Sequence, residues 1–269
     1  MKTVLICHEE EPLNRIGMAR WLASFTDLVG IVVLQETPRQ LAARARRELR
    51  RSGWLRFLDV LAFRVYYKLH LAAADRMLQR GRLEEVCSRY PRAPDSTRVL
   101  HIESANSVKT QQFLEELAPD LVIARSKQLL AKRIFRIPKR GTVVMHPGIC
   151  PEYRNAHGCF WALAGRDLKH VGMTLLIANE TIDGGPIFGY FTYPFDEVRE
   201  SHITIQDRIV FDNLPEIAVL LLQINDGSAT PIDVAVRRSA TWGQPRLSRY
   251  LAWKKAARRV SAQPGLRMV

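Results

Sequence analysis

Apolar residues along this chain fall into short unbroken runs separated by stretches of helical periodicity. Thr3–Cys7, Val29–Gln35, Arg98–Ile102, Leu121–Ala124 and Gly141–Met145 are runs of strand length. Ile16, Met18, Ala19, Leu22 and Ala23 recur at helical spacing and predict a helix from about Leu13 to Ser24. Asn106 or Ser107 can cap a helix that runs to about Leu117 and stops at Pro119-Asp120. A strand wet on one side alternates apolar and polar residues, and these runs do not. With helices between them, they predict an α/β fold whose mostly parallel sheet is covered on both faces. Farther on, Asn155–Ala164 predicts a helix, and Val171–Ala178 and Ile187–Pro194 predict strands joined by a loop around Asp183. His202–Ile224 predicts a long helix with a broad apolar face, kinked or divided by Pro215.

Two segments break this alternation. Pro38 to Tyr90 carries no strand signal and is helical in character, with a strongly apolar stretch from Trp54 to Leu71. Arg56, Asp59, Arg64 and Lys68 interrupt that stretch too often for a membrane span. After Gly227 the pattern loosens and turns basic. The expected organisation is one α/β domain over residues 1–227 with a helical insertion at about 38–92, then a short basic C-terminal extension over 228–269.

Charge sharpens that division. Forty Lys and Arg against 27 Asp and Glu give a net +13, concentrated between Arg39 and Arg56 and from Arg237 to Arg267. Residues 100–235 are nearer balance. Such an excess points to phosphates, nucleic acid or an anionic membrane surface as a neighbour. The simpler account of the insertion is a helical hairpin packed on the core or on a second subunit, with a solvated basic face. Cys7, Cys87, Cys150 and Cys159 form no C-x-x-C pair, and no His/Cys cluster has zinc-ligand spacing, so no metal is expected. A cytoplasmic protein, peripheral at a membrane if the basic segments bind there, fits that cysteine usage. Met1-Lys2 leads only a short apolar run ending in His8-Glu-Glu-Glu11, which reads as a buried first strand and not as a signal peptide.

The candidate chemistry lies in the balanced middle. His146 follows the strand Gly141–Met145, and ligands of parallel α/β sheets bind at the carboxyl ends of strands. Pro147-Gly148 then turns the chain. Asp183 stands in Ile182-Asp-Gly-Gly-Pro186, where glycines let the backbone approach a ligand closely. Imidazole titrates near neutral pH, and a carboxylate within reach would hold its tautomer and favour its charged form. The pair can move protons while an amine or water attacks a carbonyl. Taken singly, a histidine after a strand serves packing as readily as catalysis, and Asp-Gly is a common turn. Cys150 is a further candidate nucleophile, and His157 reads as a helix-start residue near the same place.

Several ordered motifs carry a resemblance to a known family. Gly141-Thr-Val-Val-Met-His-Pro-Gly-Ile-Cys-Pro-Glu-Tyr-Arg154 resembles the Gly-x-x-Asn-x-His-x-Ser-x-Leu-Pro-x-Tyr-Arg signature of the folate-dependent formyltransferases. Trp161-Ala-Leu-Ala-Gly165, Val171-Gly-Met-Thr174, Ile182-Asp-Gly-Gly-Pro-Ile187 and, upstream, Leu117-Ala-Pro-Asp-Leu-Val-Ile-Ala124 match in order. The likeness covers roughly residues 97 to 225, with a weaker fit over 1 to 35. It implies a Rossmann-like catalytic domain that moves a formyl group from 10-formyltetrahydrofolate to an acceptor amine. His146 and Asp183 match two of the family's three active-site residues.

The third position, an Asn that helps hold the formyl oxygen, is Val144 here. Losing one oxyanion donor typically costs about 100–1000-fold in rate. Asn155 or Asn179 could substitute, the acceptor or chemistry could differ, or the protein could be a catalytically silent binding protein. The resemblance also implies a pterin pocket lined by Arg125, Gln128, Leu129 and Leu130 and by the backbone around Ile182, although Arg125 and Gln128 read equally as solvated helix-start side chains. His8-Glu9 stands where the family often has Gly-Ser. Among acceptors, an amino-sugar nucleotide fits best, its phosphates suiting a basic rim. Family members acting on methionyl-tRNA carry a separate C-terminal β-barrel, for which the about 40 residues from Ser228 are too few. A homo-oligomer is compatible with all of this.

Overall fold

The structure, a computed structural model, describes residues 1–262; Arg267, counted above in the basic extension, lies outside them. Its strands are β1 (Lys2–His8), β2 (Asp27–Leu34), β3 (Arg98–Ile102), β4 (Leu121–Ala124), β5 (Thr142–His146), β6 (Arg154–Asn155), β7 (Met173–Ile177), β8 (Ile187–Phe191) and β9 (Thr241–Trp242). Seven of them form one sheet in the order β3-β2-β1-β4-β5-β7-β8. The first five are parallel in the doubly wound, Rossmann-like order, with the topological switch between β1 and β4. β7 and β8 extend the sheet antiparallel.

The helices are α1 (Ala19–Ala23, continuing a π-wound turn Leu13–Met18), α2 (Pro38–Ser52), α3 (Trp54–Tyr66), α4 (Ala72–Arg89), α5 (Val108–Leu117), α6 (Lys132–Phe135), α7 (Gly158–Ala164), α8 (His202–Phe211), α9 (Leu214–Asp226) and α10 (Leu247–Ser261). The alternating side chains of the strands feed two cores. Leu5, Cys7, Ile123, Val143 and Met145 pack with α1, α7, α8, α9 and α10, while Val4, Ile6 and Val122 pack with α5 and α6. Ser107 caps α5 through its side chain, as the sequence suggests.

Four expectations change. The helix expected from Asn155 starts at Gly158, because Asn155 and His157 adopt left-handed backbone and Arg154–Asn155 pairs instead with Thr241–Trp242. His202–Ile224 is divided into two helices, as expected, but the break falls at Asp212-Asn213 and not at Pro215, which lies in the first turn of the second helix, where its missing N–H is harmless. The segment after Gly227 is not a loose extension: Tyr250, Trp253 and Ala257 of α10 are buried in the larger core.

The insertion, finally, is anchored on one side only. Asp75 of α4 accepts hydrogen bonds from Ser201 and Thr204 at the head of α8, and Gln79 donates to Asp207 at 2.7 Å. Val60 and Phe63 of α3 are buried, but α2 buries no residue at all. No described helix is long and apolar enough to cross a membrane.

Candidate active site

β1, β4 and β5 run in register, Ile6 beside Ala124 and Ala124 beside Val144. Two residues farther along, His8 and His146 therefore stand level at the carboxyl edge, on the same sheet face and two strand spacings, or about 10 Å, apart. His146 is the last residue of β5, not the first after it. Its ring is nearly buried, and both nitrogens are engaged. Nε2 lies 2.7 Å from the carbonyl oxygen of Tyr153, which can only accept, so Nε2 carries a proton. Nδ1 faces Oδ2 of Asp183 at 3.3 Å. A proton on Nδ1 makes an imidazolium paired with a carboxylate; the same proton on Asp183 makes a neutral pair. The two groups are close enough to exchange a proton.

The same Oδ2 accepts the backbone N–H of Asn155 at 2.8 Å, which leaves Oδ1 for a ligand. Asp183, Asn155 and His157 all have positive φ, a conformation uncommon outside glycine, and all three lie at this site. The glycines around them serve packing. A Cβ on Gly158 would lie 2.6 Å from Gly148 Cα and 2.6 Å from Tyr153 O, the atom that holds His146. A Cβ on Gly185 would lie 1.8 Å from Ile177 O, so the close approach expected in this turn is to its own strand and not to a ligand. Thr174 closes the loop after β5, donating to Gly148 O at 2.6 Å and accepting from Cys150 N at 2.9 Å.

The C-terminal segment forms one wall of the site, which the loosened pattern after Gly227 did not foretell. Arg237 forks onto Glu152 at 2.9 and 2.7 Å and reaches Tyr190 Oη. Trp242 accepts from Asn155 Nδ2 at 2.6 Å, donates from Nε1 to Glu152 O, and stacks on Tyr153 and Trp161. Of the two amides considered as substitutes for the one absent at Val144, Asn155 is beside the pair and keeps one N–H free of Trp242. Asn179 braces its own loop, accepting from Thr181 N and donating to Gly184 O. Val144 packs with Cys150, Leu176 and Ile187 and offers no donor.

The segment after β4 is a loop and not a helix start. Arg125 is turned inward, onto Asn14 Oδ1 and Met145 O, and holds the floor of the site; it presents no cation to a ligand. Gln128 is spent on Glu103 O and Ala105 N. Leu130 packs against the α5–α6 core, whereas Leu129 and Ile182 are exposed. Burial pushes the Cys150 and Cys159 thiols up to about 12, so neither is a nucleophile at neutral pH.

At the end of β1 a second polar group gathers. His8 is fully buried, and burial together with the Lys127 charge pulls its imidazole below the usual histidine range. Its Nε2 accepts the Lys127 backbone N–H at 2.9 Å, so Nδ1 bears the proton of the neutral ring. That N–H has no partner and points between Glu10 and Glu36, at 3.8 and 3.7 Å. His8, Glu10 and Glu36 have the spacing of a metal site. A metal would need the Nδ1 lone pair, and the two carboxylates already pair with Lys127 and Arg44.

The profile of the formyl transferase family matches residues 67–217, more than half of the chain. A methionyl-tRNA formyltransferase of Pelobacter propionicus is 27% identical over 128 residues, 46% of this chain and 40% of that protein. One from Methylacidiphilum infernorum is 38% identical over 88 residues, 32% of this chain and 26% of the relative. The chain therefore spans less than half the length of these relatives. Among solved structures, a sugar N-formyltransferase from a Shewanella species aligns over 96% of this chain and 88% of its own, with TM-score 0.56 and 15% identity. A phosphoribosylglycinamide formyltransferase from Anaplasma phagocytophilum aligns over 91% and 99%, with TM-score 0.55 and 12% identity. At such identities the likeness is one of fold.

Proposed function

The chain belongs to the formyl transferase family, and on that premise we propose that it transfers a formyl group from 10-formyltetrahydrofolate to an acceptor amine. The observation that carries this reading is the His146–Asp183 pair, largely shielded from water at the carboxyl edge of the sheet, with Nδ1 and Oδ2 3.3 Å apart. An attacking amine must lose a proton, and the departing folate nitrogen must gain one. Asp183, with Oδ1 free and Oδ2 against His146, takes the first and returns it to the second. His146 steadies the charge on Asp183 and is itself steadied by the Tyr153 carbonyl. The tetrahedral oxygen needs a donor that Val144 cannot give; Asn155, whose backbone N–H already bonds Asp183 and whose side-chain amide keeps a second N–H, is the candidate substitute. The exposed backbone near Leu129 and Ile182 is the surface offered to the pterin ring; the side chains of Arg125 and Gln128 are not.

The acceptor is an amino sugar, carried as a nucleotide. Glu10 and Glu36 at the mouth of β1, beside buried His8, offer carboxylates that accept from sugar hydroxyls and repel phosphate. A ribonucleotide phosphate seated at that strand end would meet Glu9, Glu10 and Glu11.

Release of tetrahydrofolate from 10-formyltetrahydrofolate with a panel of amino-sugar nucleotides and other amines tests this. His146→Ala and Asp183→Ala should each abolish turnover while the circular dichroism spectrum is kept. No turnover with any acceptor, together with no folate binding by calorimetry, would sink the enzyme reading; folate binding without turnover would support the silent, Val144-based alternative. Val144→Asn separates two further cases. A large gain means that the natural site lacks its oxyanion donor, and an unchanged rate means that another amide supplies it.

A further inference from the structure

Helix α3 is apolar on both sides. At about 100° per residue, Val60 and Phe63 face the core and are buried. Trp54, Leu55, Leu58, Leu61 and Val65 fall on the opposite side, joined by Leu69 just beyond the helix end, and are between 44% and 82% exposed. Asp59 and Arg64 occupy the seams between the two faces, while Arg56 lies on the inward line but in the exposed first turn; Asp59 is tied to Ser248 of α10. A helix apolar all round is a helix with both faces covered, so a row of large exposed side chains marks a surface that meets something.

Charge identifies what meets it. α2 leads directly into α3 through Gly53, and among the described residues its Arg39, Arg46, Arg47 and Arg50 have no ion-pair partner. Between α3 and α10, Tyr66, Tyr250, Leu251, Lys255, Arg258 and Arg259 line a cleft of about 380 Å³, with these three cations exposed. A second copy of this chain would bring the same cations against these, at a net charge of +13 on each side. A nucleic acid would neutralise the arginines and leave the leucines wet.

We infer that this face lies on an anionic lipid bilayer. The outer side of α3 enters the headgroup–acyl boundary with Trp54 at its edge, and the arginines of α2 and the end of α10 rest on lipid phosphates. The inference is independent of the formyl-transfer reading.

Sedimentation of the full chain with vesicles tests it. Vesicles of phosphatidylcholine mixed with phosphatidylglycerol should carry the protein down, and pure phosphatidylcholine vesicles should not. Binding should fall as salt is raised, since the arginine contribution is screened. The double variant Leu55→Glu, Leu58→Glu should lose binding by at least about tenfold with an unchanged thermal midpoint, both side chains being outward. Arg46→Glu with Arg47→Glu should weaken it on anionic vesicles alone. The inference is overturned by failure to bind anionic vesicles, or by equal binding of the leucine double variant. It is also overturned by a dimer in sedimentation equilibrium that the leucine variant breaks, which would give the face to a second copy, or by tight RNA retention without vesicle binding.

Discussion

His157 enters α7 with φ +55°, packed toward His202 at 6.1 Å between ring centres. Burial pushes its imidazole down to about 4, with Lys127 and Arg64 adding to the effect. An unfolded histidine titrates near 6.5, so between pH 6.5 and 4 the unfolded chain takes up a proton that the folded chain refuses. The stability is fully present above pH 6.5 and falls as pH drops toward 4, by about 3 kcal/mol for a shift of this size. His202 is held down in the same direction by burial and adds to the slope. His157→Gln should flatten the acid limb, seen as a smaller difference between urea midpoints at pH 7 and pH 4.5 (about one pKa span); an unaltered slope would assign the limb to His202 alone. At this scale the sequence disclosed His146 and Asp183 by residue type and position. It could not disclose that Arg125 points inward, since its acceptors, Asn14 Oδ1 and the Met145 carbonyl, belong to other elements.

Between elements, the β5 loop crosses closely over the start of α7. Gly158→Ala would drive a methyl group into Gly148 and the Tyr153 carbonyl. The expected cost is about 1–3 kcal/mol, together with a loss of activity from the displaced acceptor of His146; urea denaturation and the tetrahydrofolate assay read the two separately. The joint between α4 and α8 is polar. Asp75→Ala should cost about 1–3 kcal/mol, because buried Ser201 and Thr204 lose their acceptor, and a lowered thermal midpoint with intact turnover is the expected pattern. Apolar runs located the parallel strands to within a residue or two, because a strand buried on both faces must be apolar throughout. The start of α7 was misplaced, because Arg154 and Asn155 are claimed by a strand 87 residues away in the chain.

For the molecule as a whole, the C-terminal segment is structural. Trp242 lies between Tyr153 and Trp161 at 5.5 and 5.1 Å, and α10 fills the core beside α3 and α7. Trp242→Ala should cost about 2–4 kcal/mol and reduce turnover through Asn155, with far-ultraviolet and tryptophan signals still melting together. Two separated transitions would mean that the segment folds apart from the sheet. The sequence by itself determined the sheet and the helices that clothe it and picked out His146 and Asp183 as candidates, because hydrophobic period and strand-end chemistry are local properties. Only the tertiary structure decided how His146 is held, that Asn155 stands beside the pair, that a basic tail walls the site, and that α3 keeps an apolar face outside. Each of these depends on which distant backbone atoms meet a side chain, and no local pattern records that.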